Sequence, residues 1–192
     1  MLCGNIIPSE IVKEITGAKS DDKAALQANA VIELIEEFLG VLLIKRDIKD
    51  EKITLPYNFT RVIRPKFAPI NSVSSLDVIT HNGTYKAETK HLAIGAYTIE
   101  LLPRFWACFP YPVLPKAVAA VKLSYNAGYF NKWQELPALI QEAAEELLAF
   151  KYASDFKAGF QSEHLGDYSY TKGKLVKGLP EEIASMLEAV EL

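Results

Sequence analysis

The stretch Val121-Lys122-Leu123-Ser124-Tyr125-Asn126-Ala127-Gly128-Tyr129 decides how this chain folds. Apolar and polar residues alternate along it with a period of two, the spacing of a strand, until Ala127-Gly128 closes it with a turn. Leu136-Pro137-Ala138-Leu139-Ile140-Gln141-Glu142-Ala143-Ala144 then opens a helix, with Pro137 in the first turn, where its missing N–H breaks no bond. A second pair of segments follows: Ser162-Glu163-His164-Leu165-Gly166-Asp167-Tyr168-Ser169-Tyr170, a glycine, serine and tyrosine loop, and Leu179-Pro180-Glu181-Glu182-Ile183, another proline-started helix. Strand, turn, helix, loop and helix in that order set a helical end beside a β region.

Upstream, residues 52–125 keep the period of two: Ile53-Thr54-Leu55, Thr60-Arg61-Val62-Ile63, then Ile70, Val73, Leu76 and Val78 among polar residues, and Tyr97-Thr98-Ile99-Glu100-Leu101. Asn82-Gly83 reads as a hairpin turn, because both central residues of a type I′ turn need positive φ. Before residue 52 the pattern is helical. Ser9 caps a short helix to Thr16, ended by Gly17. Ser20, followed by Asp21 and Asp22 at the positive end of the helix dipole, starts a long helix predicted to reach Leu43. The expected fold is α+β: a small helical bundle, with N-terminal helices that include the long one (residues 1–51) and C-terminal helices with a loop or arm (130–192), carrying an inserted antiparallel β subdomain (52–129).

The long helix carries two apolar rows, Ala25, Ala28, Ile32, Ile35, Leu39 and Leu42 beside Val31, Leu34, Phe38 and Val41. Together they exceed the stripe of about 100° that a surface helix buries. Either this is the central helix of a self-contained core, or one row faces a neighbouring subunit. On the later helices, Ile140, Ala143 or Ala144, Leu147 and Phe150 or Lys151 form a packing row, with Glu142, Glu145 and Glu146 opposite as a solvated face. Ile183, Met186 or Leu187, and Val190 do the same for the last helix. The stretch after Ser154 has few large aliphatics, so its order is expected to depend on docking.

At 192 residues and net charge -3 the chain can bury a sizeable core and has no block of basic residues for reading nucleic-acid bases. Cys3 and Cys108 lack a companion spacing for zinc or redox chemistry, and no apolar run spans a bilayer. His81, His91 and His164 are scattered without metal-ligand spacing, and neither a phosphate-cradling G-x-x-x-x-G-K loop nor a G-x-S-x-G elbow occurs. Ser162, His164 and Asp167 are the residue types of a hydrolytic triad, but all three fall within one loop, whereas triads draw on separate rigid segments. No catalytic residue, metal or cofactor is expected. Phe105-Trp106-Ala107-Cys108-Phe109-Pro110-Tyr111-Pro112-Val113-Leu114-Pro115 cannot be a central strand. Either it folds its rings onto its own sheet, or Trp106, Phe109 and Tyr111 form a recognition surface for a host molecule or ligand.

The ordered motifs, with Ala68-Pro69-Ile70-Asn71-Ser72-Val73 entering the β part and Tyr125, Gly128 and Tyr129 at the strand end, resemble the bacteriophage head-tail connector (adaptor, head completion) proteins. The resemblance implies a non-enzymatic protein of the virion neck, made in the host cytoplasm. It implies a ring of identical copies, twelve by the portal's symmetry, bound to the portal and to the next neck or tail component. Double-stranded DNA would pass through the ring without being read, past an acidic lining for which Glu142, Glu145 and Glu146, or Glu181, Glu182 and Glu188, are candidates. Closed head-to-tail contacts make Val31, Ile32, Leu34, Ile35, Phe38 and Leu39 candidates for the subunit interface. Family members grip the portal with the loop and tail after the long C-terminal helix, which assigns residues 162–177 here, with Leu165, Gly166, Asp167, Tyr168 and Tyr170 as contacts. The family's strand-end tyrosines pack beneath the following helix. The β insertion is longer than in compact members, and the ending Glu188-Ala189-Val190-Glu191-Leu192 lacks their tyrosine and arginine finish.

Overall fold

Seven strands carry the centre of the chain: β1 (Arg46–Thr54), β2 (Val62–Ile63), β3 (Ile70–Thr80), β4 (Gly83–Ala87), β5 (Leu92–Ile94), β6 (Ile99–Leu101) and β7 (Val118–Ala127). They belong to a computed structural model that describes residues 6–55, 61–80, 83–102, 104–105, 118–152, 175–190 and 192. Every pairing is antiparallel, giving a four-stranded sheet in the order β1-β7-β3-β4 and a three-stranded sheet in the order β2-β6-β5. Strand β7 lies between β1 and β3, inside the four-stranded sheet. Its Val121, Leu123, Tyr125 and Ala127 are buried while Lys122, Ser124 and Asn126 between them keep part of their surface, the alternation of a sheet with one covered face.

Two boundaries differ from expectation. β1 begins at Arg46, ahead of Lys52, because residues 46–52 hold a single apolar side chain, Ile48, and show no alternation to read. An edge position tolerates such a charged strand, and the register shifts between Ile48 and Glu51, where Asp50 has a φ of 60°. The β3–β4 hairpin pairs Thr80 with Gly83, which was expected in its turn. Gly83, with φ 139°, stands in the strand rather than in the turn.

Long-range side-chain bonds fasten this β unit. The Tyr125 hydroxyl donates to Glu51 Oε2 at 2.5 Å and accepts the Phe67 N–H at 3.2 Å, while Glu51 Oε1 accepts the Lys66 N–H at 2.9 Å. One buried ring and one carboxylate thus tie residues 66 and 67 to β1 and β7. Burial, and then the bond to Glu51, push the Tyr125 hydroxyl well above the usual tyrosine range. At the end of β7, Gly128 adopts φ 124°, and a Cβ there would stand 2.6 Å from the Ile44 carbonyl oxygen. No L side chain fits. The Gly128 N–H donates to Pro69 O at 2.9 Å and its carbonyl accepts the Asn71 side-chain amide at 2.8 Å.

The chain divides into two compact units, residues Ile44–Tyr129 just described and a helical unit of Met1–Leu43 with Phe130–Leu192. Helices α1 (Ser9–Thr16), α2 (Asp21–Leu39), α3 (Ala138–Tyr152) and α4 (Glu181–Glu188) build the second, with a hairpin of β8 (Leu175–Val176) and β9 (Leu179–Pro180). The hairpin turns at Lys177 and Gly178, with φ 48° and 85°, the double positive φ of a two-residue primed turn. α1 is bound to α2 by the Thr16 hydroxyl, which donates to Gln27 Oε1 at 2.9 Å, and by Lys13 Nζ, 2.9 Å from Asp21 Oδ1. Lys13, and after it Ser9, hold the Asp21 carboxyl below its ordinary range. Pro8, not Ser9, occupies the cap position of α1.

Ser20 caps α2 as expected, its Oγ accepting the Lys23 N–H. The helix ends at Leu39, short of the predicted Leu43, because Gly40 takes the left-handed conformation and returns its N–H to Glu36 O. Leu42 and Leu43 are buried beyond the helix, and the buried Glu36 carboxylate accepts the Leu43 N–H at 2.9 Å. Ile140, Ala143, Ala144 and Leu147 of α3, and Ile183 and Leu187 of α4, are buried, so the two proline-started helices turn the predicted rows inward.

Candidate interaction surfaces

The α2 interface candidates separate into two sets. Val31, Ile32 and Ile35 are completely buried in the protomer and have no area left to offer a neighbour, which corrects their assignment to a subunit contact. Leu34, Phe38 and Leu39 remain half-exposed. The wide stripe is explained by coverage of one row within the protomer. The accessible row is instead Leu26, Ala30, Leu34 and Phe38, at four-residue steps, with Leu26 59% exposed at its head. Leu26 stood outside both apolar rows of the sequence reading; its spacing to Leu34 was the available signal. Lys177 Nζ, from the β8–β9 turn, stands 5.1 Å from the Phe38 ring centroid, a cation–π contact at the other end of the row.

Leu165, Gly166, Asp167, Tyr168 and Tyr170, the triad-like Ser162 and His164, and Trp106, Phe109 and Tyr111 lie outside the described residues. Of the aromatic segment, Phe105 is described and is buried, so the first ring of that segment is committed to packing. Tyr125 and Tyr129 spend their hydroxyls within the β unit: Tyr125 on Glu51 and Phe67, Tyr129 on the Tyr97 hydroxyl 3.1 Å away. That mutual bond raises the Tyr129 hydroxyl above its ordinary range.

Residues 93–97, Ala-Ile-Gly-Ala-Tyr, are five consecutive exposed residues at the β5–β6 turn, with Ile94 44% and Tyr97 55% exposed. The turn is pinned by the Gly95 N–H to Thr98 O and the Ile70 N–H to Ala96 O, both 2.8 Å. An exposed apolar run of this length is unusual away from a contact surface, and period-two reading missed it because it runs from the end of β5 into the turn without alternation.

On the four-stranded sheet, one cross-strand row reads Lys52, Lys122, Asp77, Lys86 from β1 to β4, each residue paired with the next. Lys52 and Lys86 are exposed, and Lys122 Nζ lies 3.1 Å from Asp50 Oδ1. His91, the described histidine, stands 3.8 Å from the Glu88 carboxylate, which also pairs with Lys90. Among the described residues no group of three histidine, cysteine, aspartate or glutamate side chains could hold a metal ion, and no helix is long and apolar enough to cross a membrane.

No protein-family model and no curated protein matches the chain. Solved structures do. The chain is similar to a chain in the neck of the empty gene transfer agent (GTA) particle computed with C6 symmetry, at a TM-score of 0.61 and 17% identity, covering 98% of this chain and 90% of that one. It is equally similar, by the same measures, to a chain in the virion of the native gene transfer agent particle. The neck of the native particle computed with C12 symmetry gives a TM-score of 0.60 at 17% identity, covering 100% of this chain and 93% of that one. These likenesses extend over both units and establish a shared fold.

Proposed function

We propose that this protein is a structural component of a virion neck, a ring adaptor that joins the portal of the DNA-filled head to the next neck or tail component and continues the DNA channel. The observation that carries this reading is the near end-to-end likeness to chains of gene transfer agent necks computed with C6 and C12 symmetry. A likeness limited to one unit would fit many folds; one that includes the helical frame and its β insertion together is a more demanding match. The order of motifs along the sequence points the same way independently.

The ring is a homo-oligomer of twelve copies held by head-to-tail contacts, with DNA passing through it unread. Such a protein needs surface rather than chemistry, and its working parts are the half-exposed α2 row, the 93–97 turn and the charged faces. Portal grip is assigned to residues 162–177. The test is electron microscopy and native mass spectrometry of the purified chain, alone and with the portal protein of the same virus. Closed rings seated on the portal are expected. A monomer at every concentration that ignores the portal would refute the reading.

A further inference from the structure

The net charge of -3 conceals an uneven division. Residues Ile44–Tyr129 hold twelve of the 21 lysines and arginines but six of the 24 acids, a net +6, leaving nine and eighteen to the helical unit, a net -9. Each unit is strongly charged, and with opposite sign.

The basic unit focuses part of its charge on one sheet face. Lys52 and Lys122 are direct cross-strand partners, and like charges placed opposite one another repel. Asp77 separates Lys122 from Lys86 along the same row, and Asp50 engages Lys122 from the bulge of β1. Lys52 and Lys86, at the two ends, are exposed and make no ion pair among the described residues. The row crosses four strands, about 14 Å at the usual strand spacing.

The acidic unit offers a matching feature on α3. Leu139, Glu142 and Glu146 are exposed at positions i, i+3 and i+7 and so share one helix face. The two glutamates stand about 6 Å apart along the axis, close to the separation of neighbouring strands that carry the lysines. Leu139, 40% exposed, supplies an apolar contact beside them.

We propose that the outer face of the four-stranded sheet, through Lys52, Lys122 and Lys86, receives the acidic face of α3 from a second copy of this chain. The inference rests on the ring reading and specifies the contact that closes the ring. A head-to-tail interface joins two different patches of one sequence, and this sequence carries a basic patch on one unit and an acidic patch on the other. Nucleic acid is the less fitting occupant. Asp77 and Asp50 lie among the lysines, where a continuous line of phosphates would meet two carboxylates, whereas separate glutamates on a helix can alternate with them.

The test compares wild type, Lys52→Glu/Lys86→Glu, Glu142→Lys/Glu146→Lys and the fourfold charge exchange, with circular dichroism to check folding and native mass spectrometry to count subunits. Rings of wild type should loosen between about 0.1 and 1 M salt, as the Debye length falls from about 10 to about 3 Å. Either double reversal should weaken assembly by about tenfold or more, and the fourfold exchange should restore it. Rings of Lys52→Glu/Lys86→Glu with wild-type salt dependence would overturn the proposal while leaving the ring reading intact. So would failure of a folded fourfold variant to recover. Retained rings with lost binding to a double-stranded DNA fragment would reassign the lysine row to nucleic acid. A wild type that never assembles, with or without the portal protein, would remove both.

Discussion

In the helical unit, the groups that start and stop each element lie a few residues from their partners: Ser20 accepts from Lys23, Gly40 donates to Glu36, and Leu43 is held by the Glu36 carboxylate. In the β unit the fastening partners are remote. Tyr125 and Glu51 are separated by 74 residues, Tyr125 and Phe67 by 58, and Gly128 closes against Ile44 from the opposite end of the unit. Helices can therefore begin to form from local information, while the β unit gains its fastenings only when distant segments meet. A single residue at such a meeting point carries more of the structure than any cap does.

Gly128→Ala is the severest test of that difference. Its new Cβ would strike the backbone of Ile44 and Lys45, which has no flexible end to move aside, at a φ that alanine resists. A loss of more than about 4 kcal/mol is expected in urea unfolding, with hydrogen exchange showing the β unit opened first. Unchanged stability would mean that the close approach is dispensable.

Ile35→Ala should cost about 3 kcal/mol, since Ile35 is wholly buried in the helical unit. Leu26→Ala, on the exposed row of the same helix, should stay within about 0.5 kcal/mol. Equal losses at the two positions would contradict the division of α2 into a covered row and an accessible one.

Tyr125→Phe removes one hydroxyl that both donates and accepts, for an expected loss of about 1–2 kcal/mol at neutral pH. The folded state keeps this hydroxyl protonated at pH values where an unfolded tyrosine, near 10, has ionised. Its contribution is complete below that value and declines as pH rises above it, because the folded state then binds more protons than the unfolded one. Alkaline denaturation of Tyr125→Phe should accordingly be less steep than that of wild type. Parallel curves would show that the clamp does not hold the proton.

The same contrast explains what could be read in advance. Ser20, Gly17, Pro137 and Pro180 each act through neighbours a turn away, so the helices and the direction of their buried rows were legible. Gly40 had the same local visibility but was overridden by the apolar residues 41–44, which continue the pattern after the helix has stopped. The start of β1 was hidden because its strand character comes from β7 and not from its own charged residues. Among the surfaces, Leu34 and Phe38 were identified together with Val31, Ile32 and Ile35, because periodicity gives a stripe's width without saying what covers each row. The lysine row could not be seen at all. Lys52, Lys122 and Lys86 are brought together by register, and their significance depends on unit boundaries at residues 44 and 129 that composition averages away.

The Phe130 N–H donates to the Leu43 carbonyl at 2.8 Å, so the helical frame releases the chain and takes it back at two bonded residues. A frame closed in this way does not register the length of the excursion that it permits. A short loop joining the same two residues would satisfy it as well as a folded unit does. Lineages could thus trade what they display at this position, by recombination at one doorway, while every helix and its caps stay unedited.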